Sequence, residues 1–287
     1  MSASPNILLR VGKNAEIEEL YGKKQISFSC AANWIDYAIK AQNYNVGDVL
    51  EGVFGRAIFP FDGNSLTNRY GEKYGENLLV TPYGDQSHCY LRYMPTILMP
   101  VICFYGIDVE NAIKLNKSSI LFNFEGYANA MKYSNSEASI WVIKNMAAFE
   151  DDLRKGIILA VTNNLQNNIT TAGFVNKFDV SKPYICGFVN YNKYDYDKDF
   201  IDNTGNLSPL LCKSKSYAYQ SEFRFILNNV RFLQKLSIDN YDYSLNKLNV
   251  SLPNIESYSN IYNLEQYSGI MLSYFDSAKF AIVPYWR

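Results

Sequence analysis

Tyr217-Ala218-Tyr219-Gln220-Ser221-Glu222-Phe223-Arg224-Phe225-Ile226-Leu227 reads as a β-strand, because successive side chains of an extended chain point to opposite faces. One face carries Tyr217, Tyr219, Ser221, Phe223, Phe225 and Leu227, and the other carries Ala218, Gln220, Glu222, Arg224 and Ile226. Gln220, Glu222 and Arg224 then follow one another along a single line, about 6.6 Å apart at ~3.3 Å rise per residue. By itself this pattern predicts an edge or half-solvated strand with its polar line in water.

Working outward, Ile7-Leu8-Leu9-Arg10-Val11-Gly12 reads as a short buried strand with one charge embedded in it. Such an Arg is costly unless an anion meets it or the strand end lets it reach water. A helical turn is expected over Glu16 to Leu20. Gln25 to Cys30 alternates, with Ile26, Phe28 and Cys30 on one face and Ser27 and Ser29 on the other. Ala31, Trp34, Ile35, Ala38 and Ile39 then fall at helical spacing. Val49 to Ile58 predicts a strand pair interrupted by Gly52 and Gly55. The polar run from Pro60 to Tyr93 is too long for a passive connection, so it is a functional loop or carries a hairpin.

Val101-Ile102-Cys103-Phe104, within Pro100 to Tyr105, predicts a buried strand, and Asp108 the N-cap of a short helix through Leu115. Ile140-Trp141-Val142-Ile143 predicts another strand. Met146 to Lys155 reads as a helix closed by Gly156, with a buried strand over Ile157 to Val161. Asn190 to Asp202 reads as a solvated loop, Asn228 to Asp276 has weak periodicity, and Lys279 to Trp286 closes the chain as a strand. More strands than helices, without βαβ regularity, place the fold in the α+β class. The expected organisation is a single domain over 1–287, with a loop insertion at about 60–93 and a Tyr- and Asn-rich extension at about 228–287.

At 287 residues, 48% apolar and 19% charged, the chain can bury a substantial core. Its net charge of −1 gives no global basic footprint for nucleic acid or membrane surfaces. No stretch reaches the ~20 apolar residues of a membrane helix, and no signal-peptide pattern opens the chain. A cytoplasmic, non-membrane protein is expected. Cys30, Cys89, Cys103, Cys186 and Cys212 form no CxxC pair, and His88 is the single histidine, which excludes His-rich zinc sites.

Leu9-Arg10-Val11-Gly12, Ser27-Phe28-Ser29 and Gln220-Ser221-Glu222 resemble the Arg, Ser-x-Ser and Gln-x-Glu elements of Arg–Ser–Glu ADP-ribosyltransferases, in the same order. Ser134-Asn135-Ser136 is a rival Ser-x-Ser. The Phe28-Ser29, Glu51-Gly52, Cys103-Phe104 and Glu222-Phe223-Arg224 steps also resemble a group of uncharacterised bacterial proteins, many near mobile or defence genes. The first resemblance implies an antiparallel split-sheet core with flanking helices, NAD as substrate, and a toxin or phage-defence effector, with or without an antitoxin partner.

The resemblance gives Glu222 the ribose and its developing oxocarbenium charge. It gives Arg10 the pyrophosphate. Ser27 and Ser29 would position Glu222 and the nicotinamide end, and Gln220 the acceptor. Tyr21, Phe28 and Trp34 are candidates to wall the nicotinamide pocket, although core packing explains each of them equally well. This chemistry needs no metal. An amide at Gln220 cannot neutralise a guanidinium, so the expected acceptor is uncharged: a protein side-chain amide or a base of RNA or DNA. Arg69, Arg92 and Arg224 and the Tyr-rich loops lean toward a base.

Two other classes fit the same residues. One is a non-catalytic module binding protein or single-stranded nucleic acid through its 24 Tyr. The other is a metal-dependent nuclease using Asp48, Glu51 and Glu222.

Overall fold

The computed structural model describes residues 5–35, 52–58, 78–83, 88–108, 119–130, 133–134, 137–165, 169–171, 177–191, 208–211, 213, 221–233, 246–276 and 279–286. A run that is apolar at nearly every position forms a strand buried on both faces, as β8 (Ala138–Ile143) does, and β11 (Glu222–Leu227) is buried throughout although it carries Glu222 and Arg224. In chain order the others are β1 (Ile7–Lys13), β2 (Gln25–Phe28), β3 (Val53–Ile58), β4 (Leu78–Tyr83), β5 (His88–Tyr93), β6 (Val101–Ile107) and β7 (Ser119–Asn123). Then come β9 (Ile169–Thr171), β10 (Tyr184–Phe188), β12 (Val230–Phe232), β13 (Leu248–Ser251), β14 (Ser259–Asn263), β15 (Tyr267–Asp276) and β16 (Lys279–Trp286).

Six strands make the central sheet, in the order β10-β11-β6-β1-β8-β14, and every pairing in it is antiparallel. Smaller antiparallel groups are β3-β5-β4, β16-β15-β7, β13-β2 and β12-β9. The α+β class therefore holds.

Alternation along β1 divides two cores. Leu8 joins Phe104, Trp141 and Phe225 on one side, while Ile7, Leu9 and Val11 join Ile140 and Val142 on the other. The long helix Met146–Asn164 covers the first core with Phe149, Leu153, Ile157 and Val161, a stripe at helical spacing. Phe149 meets Phe104 and Phe225 edge-on, each at 5.7 Å between ring centroids. Ile270 and Leu272 of β15, with Phe124 and Ala128, close the second core.

Three sequence expectations are corrected here. The strand Glu222–Leu227 is neither an edge nor half-solvated: it lies between β10 and β6, and all six of its residues are buried. Gly156 does not end a helix, and Ile157 to Val161 is no strand, because the helix runs on to Asn164. A Cβ at Gly156 would run into the Ser251 carbonyl oxygen and lie 2.8 Å from Val250 Cγ1, so this glycine serves close approach to β13. The weakly periodic stretch 228–276 supplies β12 to β15.

Of the 60–93 loop, β4 and β5 form a hairpin. The helix expected from Asp108 to Leu115, the end of that after Ala31, and most of Asn190 to Asp202 lie outside the described residues. Among the described residues no helix is long and apolar enough to cross a membrane.

Candidate functional site: a buried ion cluster beside a split in the sheet

Glu222 and Arg224, two residues apart on β11, point to the same face and find each other there. Arg224 donates from Nε to Glu222 Oε1 at 3.0 Å and from Nη2 to Oε2 at 3.1 Å, the planar fork that fits a carboxylate. Lys213 Nζ adds a third donor to Oε2 at 3.2 Å. Arg224 Nη1 donates to the Leu210 carbonyl at 2.5 Å, and the guanidinium lies 5.3 Å from the centre of the Trp34 ring. Arg224 is 0% exposed and Glu222 8%. Burial alone would raise the Glu222 pKa, but Arg224, and after it Lys213, hold the carboxyl well below the usual range. The group stays ionised.

The backbone at the head of β11 is strained. Ser221 has φ +39°, a left-handed conformation that costs of order 1–3 kcal/mol outside glycine. Its hydroxyl donates to the Gly106 carbonyl at 3.0 Å, and the Gly106 N–H donates to the Ser221 carbonyl at 2.9 Å. The Glu222 N–H donates to the Tyr191 hydroxyl at 2.9 Å. The regular two-residue alternation stops at Ser221, and Gln220 lies outside the described residues.

Leu9, Tyr105 and Glu222 form one rung across β1, β6 and β11. Arg10 therefore starts one residue beyond that rung, about 10 Å from β11 at two strand spacings. Past Leu9, β1 and β6 no longer pair, and Val101 takes Ser29 as its bridge partner instead. The sheet is split at this point. Arg10 flanks the split half-buried, with Nη1 fully buried and unpartnered.

A buried N–H donor without an acceptor costs about 1–3 kcal/mol. Burial lowers the pKa of Arg10, opposed by Cys103, Tyr127, Tyr133 and Glu16. The Tyr127 hydroxyl is pushed up first by burial and then by Glu222, while Arg10 acts the other way, so it feels both charges. Tyr127 belongs to an aromatic wall with Tyr105 and Phe122, at centroid distances of 5.1 and 5.7 Å.

Of the residues singled out from the sequence, Glu222, Trp34 and Arg224 come together, and Arg10 stands across the split. Phe28 is wholly buried in the first core. Tyr21 donates its hydroxyl proton to the Ser259 carbonyl at 3.0 Å. Ser27 donates to Asn249 Oδ1 at 2.6 Å on an exposed face, and Ser29 accepts from Asn33 Nδ2 at 2.6 Å. Ser134 donates to Glu137 at 2.9 Å. Arg92 is buried in β5. Ser136, Asp48, Glu51 and Arg69 lie outside the described residues.

Lys213, Tyr191, Tyr105 and Tyr127 complete the site and were not found by sequence reading. Lys213 sits in Cys212-Lys213-Ser214-Lys215, where no periodicity marks one lysine for burial. Among the described residues no group of three or more His, Cys, Asp or Glu is placed to hold a metal.

Fold and site together define an antiparallel α+β protein with a buried Glu–Arg–Lys cluster beside a split in its main sheet. No protein-family model, curated protein or solved structure matches the chain.

Proposed function

We propose that this chain is an NAD-dependent mono-ADP-ribosyltransferase with an ADP-ribosyltransferase-like split sheet, acting as a bacterial toxin or phage-defence effector. The observation that supports it most is the pair of opposite charges on the two sides of the split. One is the carboxylate of Glu222, kept ionised by Arg224 and Lys213. The other is the guanidinium of Arg10, whose buried Nη1 has no hydrogen-bond partner.

NAD presents the complementary pattern, with a ribose that gains positive charge as nicotinamide leaves and a pyrophosphate that is negative throughout. A permanently ionised carboxylate suits the first, and a guanidinium lacking an acceptor suits the second. The Tyr127 hydroxyl, which feels both charges, and the rings packed beside it offer a surface for the ribose and base. The bond from nicotinamide to ribose C1′ breaks with its electron pair leaving on nicotinamide. C1′ then takes an uncharged acceptor, a nucleic-acid base or a protein amide, whose proton is lost to solvent.

A second reading has its own support. The donors on Glu222 occupy most of the acceptor capacity of a carboxylate, as suits a structural ion pair in a non-catalytic binding module. Release of nicotinamide from labelled NAD, with transfer of the label to a cell lysate, separates the two. Label that follows RNase or DNase treatment identifies a base, and label that follows protease an amide. A folded protein that neither binds NAD nor releases nicotinamide would favour the binding module instead.

A further inference from the structure

Cys103 of β6 is the cross-strand partner of Arg224 on β11. Its side chain therefore leaves the sheet on the face that carries Glu222 and Arg224, with the Cβ atoms of the pair about 5 Å apart. The Cys103 thiol hydrogen-bonds to the Glu222 carboxylate, the thiol donating. β6 has lost β1 as a neighbour by this point, since their pairing ends at Leu9 and Tyr105. Cys103 thus borders the split, half-buried and in no disulfide.

Arg10 acts on the same sulfur. Burial lowers the Arg10 pKa, and Cys103 leads the groups that oppose this, ahead of Tyr127, Tyr133 and Glu16. Arg10 Nη1 is buried with no hydrogen-bond partner, and a thiol sulfur is only a weak acceptor. The charges of the cluster are three cations, Arg10, Arg224 and Lys213, against the single carboxylate of Glu222. An electropositive and partly open setting favours the thiolate, the nucleophilic form of cysteine. The other described thiols are held protonated. Burial pushes Cys30 up to about 12, and burial followed by Glu150 pushes Cys186 up to about 11.

We propose that Cys103 is a site of oxidation by hydroperoxides, and that Arg10 and Glu222 hold the sulfenic acid formed there. The Cys103 sulfur gives an electron pair to one peroxide oxygen, so that an S–O bond forms as the O–O bond breaks. With hydrogen peroxide, the departing oxygen takes the thiol proton and leaves as water. Sulfur loses two electrons and the peroxide gains them. The oxygen added to sulfur is the acceptor that Arg10 Nη1 lacks, and its O–H replaces the thiol as donor to Glu222. This site lies outside the NAD reading and does not rest on it.

The test treats the folded full chain with hydrogen peroxide and a cyclic 1,3-dione, which traps sulfenic acids, and reads each cysteine peptide by mass. Cys186 is the control, because it is half-buried as Cys103 is. The adduct on Cys103 is expected to form about tenfold faster than on Cys186, the change in thiolate that one unit of pKa brings. Arg10→Gln should slow labelling of Cys103 by a similar factor. If Arg10→Gln does not fold, Arg10→Met takes its place, since it removes the charge and keeps an apolar stem.

Labelling of Cys103 no faster than that of Cys186 overturns the proposal. So does a rate that the folded Arg10 variant leaves unchanged. Nicotinamide release is measured separately, and the two readings fail apart. An idle enzyme with a rapidly labelled Cys103 sinks only the NAD reading, and NAD turnover with a slowly labelled Cys103 sinks only this one.

Discussion

Glu222 and Arg10 meet burial in opposite ways, one surrounded by donors and the other with its buried Nη1 lacking an acceptor. For Glu222 the consequence is a large dependence of the fold on one charge. Glu222→Gln leaves Arg224 buried without its counter-ion, and breaking such a pair typically costs about 3–5 kcal/mol. A lowered midpoint in urea unfolding is the expected result, and an unchanged midpoint would mean that the pair adds nothing net. Loss of transferase activity in that variant therefore counts only after correction for the folded fraction.

The pH dependence follows from the same cluster. Because the folded pKa of Glu222 lies below its ordinary value of 4.5, the native state binds fewer protons than the unfolded one. The stabilisation is then complete above about pH 4.5 and is lost as pH falls through the folded pKa. The stability gap between the natural protein and Glu222→Gln is expected to narrow from pH 5 downward. A gap that stays constant to pH 3 would contradict an ionised Glu222. At this scale Glu222 and Arg224 were legible, because a two-residue period puts them on one line. Their burial was not, because a polar line on a strand reads the same in water and in an interior where each charge is paired.

Among the elements, β1, β6 and β8 could be read from apolar runs, and β11 from its alternation, without knowledge of their neighbours. The helix Met146–Asn164 could be read only in part, because glycine has two uses that local sequence does not separate. It ends helices in the left-handed conformation, and it lets a helix approach other backbone closely. At Gly156 the second applies. Gly156→Ala should therefore destabilise the protein, although alanine is favoured over glycine in a helix by roughly 1 kcal/mol. The new methyl meets the Ser251 carbonyl, a backbone atom that cannot swing away, and overpacking of this kind costs about 1–3 kcal/mol. A raised melting temperature would show that the helix and β13 separate easily, and would restore the reading of Gly156 as a terminator. β14 and β15 escaped notice because Ser, Asn, Gly and Tyr fill positions that face solvent and core alike, which removes the alternation that marks a strand.

For the molecule as a whole, the order β10-β11-β6-β1-β8-β14 brings strands that are distant in sequence into contact, and the last tenth of the chain, from Ser259 on, is part of that design. β14 pairs with β8 along five residues, from Ser259 against Ile143 to Asn263 against Ser139. Ile270 and Leu272 of β15 are wholly buried against Ile140 and Val142. Removing residues 259–287 would leave β8 as an open edge and uncover the second core. Full burial of one such side chain is worth about 1.5–3 kcal/mol, so uncovering several of them matches the 5–15 kcal/mol by which domains are ordinarily stable. A chain ending at Tyr258 is expected to be unfolded or aggregated, with no cooperative thermal transition. The full chain should instead lose the near-ultraviolet signal of its tryptophans and its sheet signal together. A truncated protein that melts cooperatively would show the C-terminal strands to be an independent addition, with the Glu222 site carried by the remainder alone.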